Sequence, residues 1–137
     1  MNISEVLKTI KPYNTLGMNI ESEGSDSLTF RIPLAENYND KNTMFAGSIY
    51  SVMVLCGWAL AYITVNGENK MYDIVIKHSD IDYRSPVKTD ARGVAAFAGK
   101  AAVKANGNIS LPVVVSVKDI NDIVCAEFSG EFIGIRI

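Results

Sequence analysis

The chain reads as an α+β protein in which a curled antiparallel sheet wraps one long central helix, and three observations carry that reading. Met44 to Val65 (MFAGSIYSVMVLCGWALAYITV) contains no charged residue. The rest of the chain is rich in strand-like segments that alternate apolar and polar residues between turn signals. Only one substantial helix accompanies those strands, whereas a parallel sheet needs a helix for each crossover. A helix that is apolar all round must be buried on all sides, and the strands have apolar faces to cover.

The elements follow in order. Ser4 to Lys11 has apolar Val6, Leu7 and Ile10 at helical spacing, with Ser4 as the expected cap and Pro12 as the stop. Gly17–Glu23 and Ser27–Leu34 form a hairpin around Gly24-Ser25-Asp26, and Leu28, Phe30, Ile32 and Leu34 keep a period of two. Pro33 suits an edge or a strand end. The loop Glu36–Thr43 (ENYNDKNT) is dense in turn formers. The long helix runs from Ala46 to Val65, and Asn66-Gly67 ends it with residues that tolerate left-handed backbone. Tyr72–Tyr83 is a strand whose apolar residues change parity, which predicts a bulge or two buried faces. Arg92–Phe97 is another strand, while Ala98–Ala105 reads equally as strand or helical turn. Val113, Val115 and Val117 share one face of a further strand, and Asn121-Asp122 turns into the last, Val124–Ile135. No repeat or linker divides residues 1–137, which form a single domain.

Composition narrows the function classes. At 137 residues the chain is long enough to bury a core without metal or disulfide staples. A net charge of −2 and the lack of any Lys/Arg run argue against nucleic acid and anionic membrane surfaces. The uncharged segment meets the length threshold of a membrane span. Gly47, Ser48, Tyr50, Ser51, Gly57, Trp58, Tyr62 and Thr64 dilute it, however, and its flanks lack charge asymmetry, so a buried core helix is expected instead. Cys56 and Cys125 sit in apolar stretches without CxxC spacing, and buried free thiols are expected. Met1-Asn2-Ile3-Ser4-Glu5 lacks the basic region of a secretory leader, which makes the cytoplasm the expected compartment.

Particular residues sharpen the picture. PLAENYNDKNTMFAGSIYSVMVLCGWALAYI (Pro33 to Ile63) combines an Asn-x-Asn-Asp loop, a Thr, a Phe-x-Gly-Ser lead into the helix and a Gly-Trp within it. That pattern resembles the hotdog-fold, thioesterase-like family typified by the C-terminal domain of YiiD. IVIKHSDIDYRSPV (Ile74 to Val87) is similar to that family's central strand, and GEFIGI (Gly130 to Ile135) to its closing strand. The resemblance spans nearly the whole chain and implies the hotdog fold. It also implies hydrolysis of an acyl-CoA or acyl-carrier-protein thioester, with no cofactor beyond the CoA or phosphopantetheine of the substrate, and no metal. Homodimers or tetramers are common among similar proteins. Here a dimer is also expected because the helix and the edge strands leave apolar surface exposed.

Thioester hydrolysis needs a carboxylate to attack or activate water, donors that polarise the carbonyl, and an apolar channel. Asp40 lies just before the helix, with Asn39 beside it, and the amides of Gly47 and Ser48 fall at the helix N-terminus, where unpaired N–H groups carry partial positive charge. Gly47 lets a carbonyl approach closely. Asn37, Thr43, Phe45, Tyr50 and His78 complete the candidate set as substrate contacts. Asp40 and Tyr50 match the spacing in the hotdog subgroup that resembles 4-hydroxybenzoyl-CoA thioesterase. The His-Gly-Gly machinery of another subgroup is replaced by Phe45-Ala46-Gly47, with Val54, Leu55 and Cys56 where its acid would stand.

Plainer roles stand beside each of these. Asp40, Asn42 and Thr43 are all good helix caps, and Asn37 and Asn39 are good loop formers. His78, with Asp80 and Asp82, suits a hydrogen-bonded surface or interface as well as a site, and Trp58 and Tyr62 suit packing. Lys77, Arg84, Lys100 and Lys104 are the unranked candidates for CoA phosphates. The rival function is a non-catalytic acyl- or CoA-binding module. A hotdog dehydratase would need a catalytic His and a helix acid that this chain lacks.

Overall fold

The computed structural model describes residues 2–137; Met1, the first residue of the stretch read for a leader, lies outside them. Two short helices open the chain, α1 (Ile3–Lys8) and α2 (Lys11–Thr15). Strands β1 (Asn19–Glu23) and β2 (Ser27–Ile32) precede the long helix α3 (Ala46–Asn66). After it come β3 (Tyr72–Tyr83), β4 (Ala91–Phe97), β5 (Ala102–Val103), β6 (Ile109–Asp119) and β7 (Val124–Arg136). The strands form one antiparallel sheet in the order β1-β2-β4-β6-β7-β3, with β5 paired to β6. This is the α+β hotdog arrangement that the sequence resemblance implies.

The expected first helix needs correction. Its cap is Asn2 rather than Ser4: the Asn2 carboxamide oxygen accepts from Glu5 N at 2.9 Å while the Glu5 carboxylate accepts from Asn2 N, a reciprocal capping box. Pro12 does not simply end that helix. It sits in the first turn of α2, where a missing N–H costs nothing. The ambiguous stretch Ala98–Ala105 resolves into a bend followed by β5, so there are seven strands rather than six. Other punctuation falls where turn chemistry puts it: Gly67 and Asp122 have φ of 53° and 65°, and Gly107, in the turn signal Asn106-Gly107, has 87°.

Helix α3 buries Val52, Met53, Cys56, Ala59 and Leu60 against the concave face of the sheet. The sheet answers with Leu28, Phe30 and Ile32 from β2, Ala95 from β4, Val113, Val115 and Val117 from β6, and Phe128 and Phe132 from β7. Within each of these strands the buried residues lie two or four positions apart, as one face of a pleated strand requires. Both cysteines belong to this interior and are free thiols. Among the described residues α3 is the helix long and apolar enough to cross a membrane; in this fold half of that window is buried within the chain.

Two glycines set how closely helix and sheet approach. A Cβ on Gly57 would stand 2.6 Å from the fully buried ring of Phe132, and one on Gly93 would stand 2.8 Å from Cys56 Sγ. The sheet therefore lies nearly against the helix backbone at its midpoint.

Strand β3 lies at one end of the sheet, and its register shifts between Ile76 and His78. This is the parity change visible in the sequence. Before the bulge Tyr72 and Ile74 face the helix. After it Ser79, Ile81 and Tyr83 pair with Gly130, Phe128 and Ala126 and share their inner face, while His78, Asp80 and Asp82 pair with Glu131, Ser129 and Glu127 on the outer one. The first half of this edge is satisfied by α3. The Trp58 indole N–H donates to Ile74 O at 2.9 Å. The Asn66 carboxamide accepts from the amides of Met71 and Tyr72 and donates to Tyr72 O.

Gly57→Val tests the close approach. Any residue but proline improves helix propensity over glycine, by up to ~1 kcal/mol. Overpacking against Phe132 costs about 1–3 kcal/mol in such cores. Urea unfolding is expected to show net destabilisation of the variant, and a net gain would mean that the interior yields easily there.

Candidate functional site

The loop from Asn37 to Phe45 folds back on itself before α3 begins. Asn39 N donates to Thr43 O at 2.8 Å, Tyr38 and Met44 form an isolated bridge, and Phe45 N donates to Asn37 O at 2.8 Å. Met44 N donates to Val87 O at 2.9 Å, which ties the loop to the segment after β3. Asn42 takes a positive φ of 61° at the tip, a conformation that asparagine tolerates.

Two asparagines hold this loop from inside. Asn37 is buried, and its amide nitrogen donates to Leu16 O at 2.9 Å and Pro33 O at 2.8 Å. The Asn39 side-chain oxygen accepts from Lys41 N and Thr43 N, and its amide nitrogen donates to the Thr43 hydroxyl. Asn39 and Thr43 thus form one side-chain network at the tip of the loop, while Asn37 ties its base to Leu16 and Pro33.

Asp40 lies outside that network. Its side chain is 81% exposed and pairs with Lys41 Nζ at 2.9 Å. The hydrogen bond and charge of Lys41 hold its carboxyl below the usual aspartate range, so it is an ionised base at neutral pH. None of Asp40, Asn42 and Thr43 caps the helix: Phe45 is the N-cap residue and no side chain closes that end. The first amides of α3, Gly47 and Ser48 included, therefore lack an intrahelical partner and concentrate the positive end of a helix 21 residues long. The exposed Phe45 ring lies across Gly47, and a Cβ on Gly47 would collide with it.

Opposite that first turn stands the post-bulge half of β3. Tyr50 OH and Ser79 Oγ are 2.9 Å apart and hydrogen-bonded. Tyr83 OH donates to Ala46 O at 2.9 Å. Burial, with a smaller contribution from Tyr50, pushes the Tyr83 phenol up, so it remains a proton donor at neutral pH. Ser79 and Tyr83 escaped the sequence reading. The parity change in β3 was the available signal, and placing the bulge at Lys77 would have turned both toward the helix.

His78 does not join this group. It lies on the outer face of β3 opposite Glu131, with Asp80 and Asp82 further along. The Ser110 hydroxyl donates to Glu131, and this bond, helped by Lys77, Lys104 and His78, keeps that carboxylate below its usual range. Of the cations considered for CoA phosphates, Arg84 pairs with Glu127 at 2.8 Å and Lys77 approaches Glu131 at 3.9 Å. Trp58 and Tyr62 stack with ring centres 5.0 Å apart on the flank of α3. Among the described residues no three of His, Cys, Asp and Glu gather where they could share a metal ion.

With this geometry in view, comparison with known proteins adds the lineage. Residues 5–136 match the family described as "Putative thioesterase (yiiD_Cterm)". A crystal structure of a thioesterase so designated from Shewanella oneidensis is 25% identical, with a TM-score of 0.85 over 97% of this chain and 94% of that one. A thioesterase from Haemophilus influenzae shares the fold at 11% identity and a TM-score of 0.83, covering 99% of this chain and 92% of that one. The E. coli PaaI protein from the phenylacetic acid degradation operon does so at 14% identity and 0.78, covering 99% and 91%.

Asn37→Ala removes two bonds that satisfy buried carbonyls while leaving the helix sequence intact. Unsatisfied buried groups cost about 1–3 kcal/mol each. Thermal or urea unfolding should register a loss of that order, with Asn39→Ala, on the more exposed side of the loop, costing less.

Proposed function

From the premise that the chain belongs to the thioesterase family typified by the YiiD C-terminal domain, we propose that it hydrolyses an acyl-CoA or acyl-carrier-protein thioester at the first turn of α3. The observation that supports this reading best is the open helix end: its amides have no side-chain cap, and the Tyr83 hydroxyl from β3 bonds the Ala46 carbonyl of the same turn. In this reading the Gly47 and Ser48 amides bind the carbonyl oxygen, where negative charge develops as water adds to the carbonyl carbon. Asp40, kept ionised by Lys41, takes the proton of the attacking water. The carbon–sulfur bond then breaks and the thiol leaves with that proton. Phe45 and Tyr50 flank the reacting group, and Asn37, Asn39 and Thr43 hold the loop that carries Asp40.

The exposure of Asp40 shapes the second half of the proposal. A base that faces solvent needs another surface to exclude water around it, and a second copy of the chain supplies one. The two ends of the sheet differ. β1 is short and carries Glu21 and Glu23, whereas β3 is 12 residues long with Val75, Ile76 and Tyr83 exposed. Trp58 and Asn66 already occupy its first half, so the stretch from Ile76 to Tyr83 is the edge left for a partner strand. Pairing there sets two open helix ends at a shared interface.

One observation favours the rival reading of a non-catalytic acyl- or CoA-binding module: the Asp40 carboxylate is engaged by its neighbour Lys41 rather than by the loop network. Steady-state assays over short, medium and aromatic acyl-CoA and acyl-carrier thioesters separate the two. Hydrolysis by the wild type is expected, with kcat falling about 10²-fold or more in Asp40→Ala. The acid limb of the profile should lie below the ordinary aspartate range, because the lowered carboxyl stays ionised there. No turnover by the wild type sinks the enzyme reading, and an unimpaired Asp40→Ala sinks the role of Asp40.

Sedimentation at micromolar concentration should give at least a dimer of the 14.9 kDa chain. Ile76→Lys with Ser79 untouched should shift it toward monomer.

A further inference from the structure

Three hydroxyl groups surround the first turn of α3, and their hydrogen bonds leave them unequal. Tyr83 donates its single hydrogen to Ala46 O. Tyr50 and Ser79 share one bond, and either oxygen can be the donor. Each hydroxyl brings one hydrogen and two lone pairs. Whichever way the shared bond runs, one O–H of the Tyr50–Ser79 pair is left uncommitted. Tyr50 is 38% exposed and Ser79 is half-buried, so neither residue of the pair is enclosed. Long helical side chains lean toward the N-terminus of their own helix, which lays the Tyr50 ring over the turn that contains Ala46 and Gly47. The Tyr83 bond clamps β3 to that same turn and holds Ser79 in register with it. A free, neutral O–H on the strand that is bonded to the turn with unpaired amides suits a neutral carbonyl oxygen that gains charge during reaction.

We infer that the Tyr50–Ser79 pair supplies a third donor, with the Gly47 and Ser48 amides, to the carbonyl oxygen of the thioester as it becomes tetrahedral. The inference rests on the hydrolytic reading above and extends it to Ser79, with Tyr83 as the positioning residue. The pair keeps its hydrogens throughout. Water provides the new oxygen, the carbon–sulfur bond breaks, and acid and thiol are released.

The experiment measures kcat and KM of the full-length protein on its best thioester for Ser79→Ala, Tyr50→Phe, the double variant and Ser79→Thr, with melting temperatures for all. Loss of one such donor lowers kcat by roughly 10²-fold in related chemistry. Expected here are a fall of that order in Ser79→Ala, a KM within about threefold of wild type, and recovery of most of the rate in Ser79→Thr. Each single variant keeps one O–H but loses the bond that aims it, so the double variant should lose much less than the product of the two single losses. An active wild type whose Ser79→Ala and Tyr50→Phe variants keep their rates overturns this inference alone. A rate loss in Ser79→Ala that follows a lowered melting temperature and is not restored by Ser79→Thr also overturns it. A wild type inactive on every thioester removes the hydrolytic reading and this one together.

Discussion

Burial of α3 is the constraint from which the other features follow. A helix that buries Leu55 on one flank and Ala61 on the other, as well as Val52, Met53, Cys56 and Leu60 between them, cannot rest on a flat sheet, because a flat sheet covers one stripe only. Burying such a side chain is worth about 1.5–3 kcal/mol. Gly57 and Gly93 remove side-chain bulk where helix and sheet come closest. The same burial fixes the helix ends. The C-terminal end is closed by Asn66, which bonds the start of β3. The N-terminal end is left to the loop before it, and that loop spends its polar groups on itself.

That division of labour explains why the site is where it is. Asn37 and Asn39 have the chemistry of helix caps, yet both are turned inward to satisfy loop amides and carbonyls. The amides of the first turn stay uncapped because the N-cap residue is Phe45, whose ring has no acceptor to offer them.

The bulge in β3 has a comparable double effect. Up to Ile76 the strand serves the core and is bonded by Trp58 and Asn66. Beyond Lys77 the parity reverses, so that hydroxyl groups face the helix while His78, Asp80 and Asp82 face away. With unbroken alternation, His78, Asp80 and Asp82 would point at the open helix end and Ser79 would not. One extra residue thus separates a neutral, hydroxyl-lined inner surface from a charged outer one.

Much of this was legible in one dimension. Local chemistry settles features of short range: the uncharged run that must be a buried helix, the period of two in β2, β6 and β7, the turns at Gly67, Gly107 and Asp122, and the existence of a parity change in β3. The pattern of Pro33 to Ile63 carried the family, and with it the fold. Long-range packing settled the rest. Asn2 rather than Ser4 starts α1 for a local reason, since Glu5 stands three residues on as a capping box requires, but no spacing rule says that Asn37 reaches Leu16 or that Asp40 turns toward Lys41 and solvent. Nor could alternation locate the bulge at Lys77, because strand register depends on the neighbour β7, and a shift of one position moves every later side chain to the other face. Ser79 and Tyr83 entered the candidate site, and His78 left its inner surface, for that reason alone.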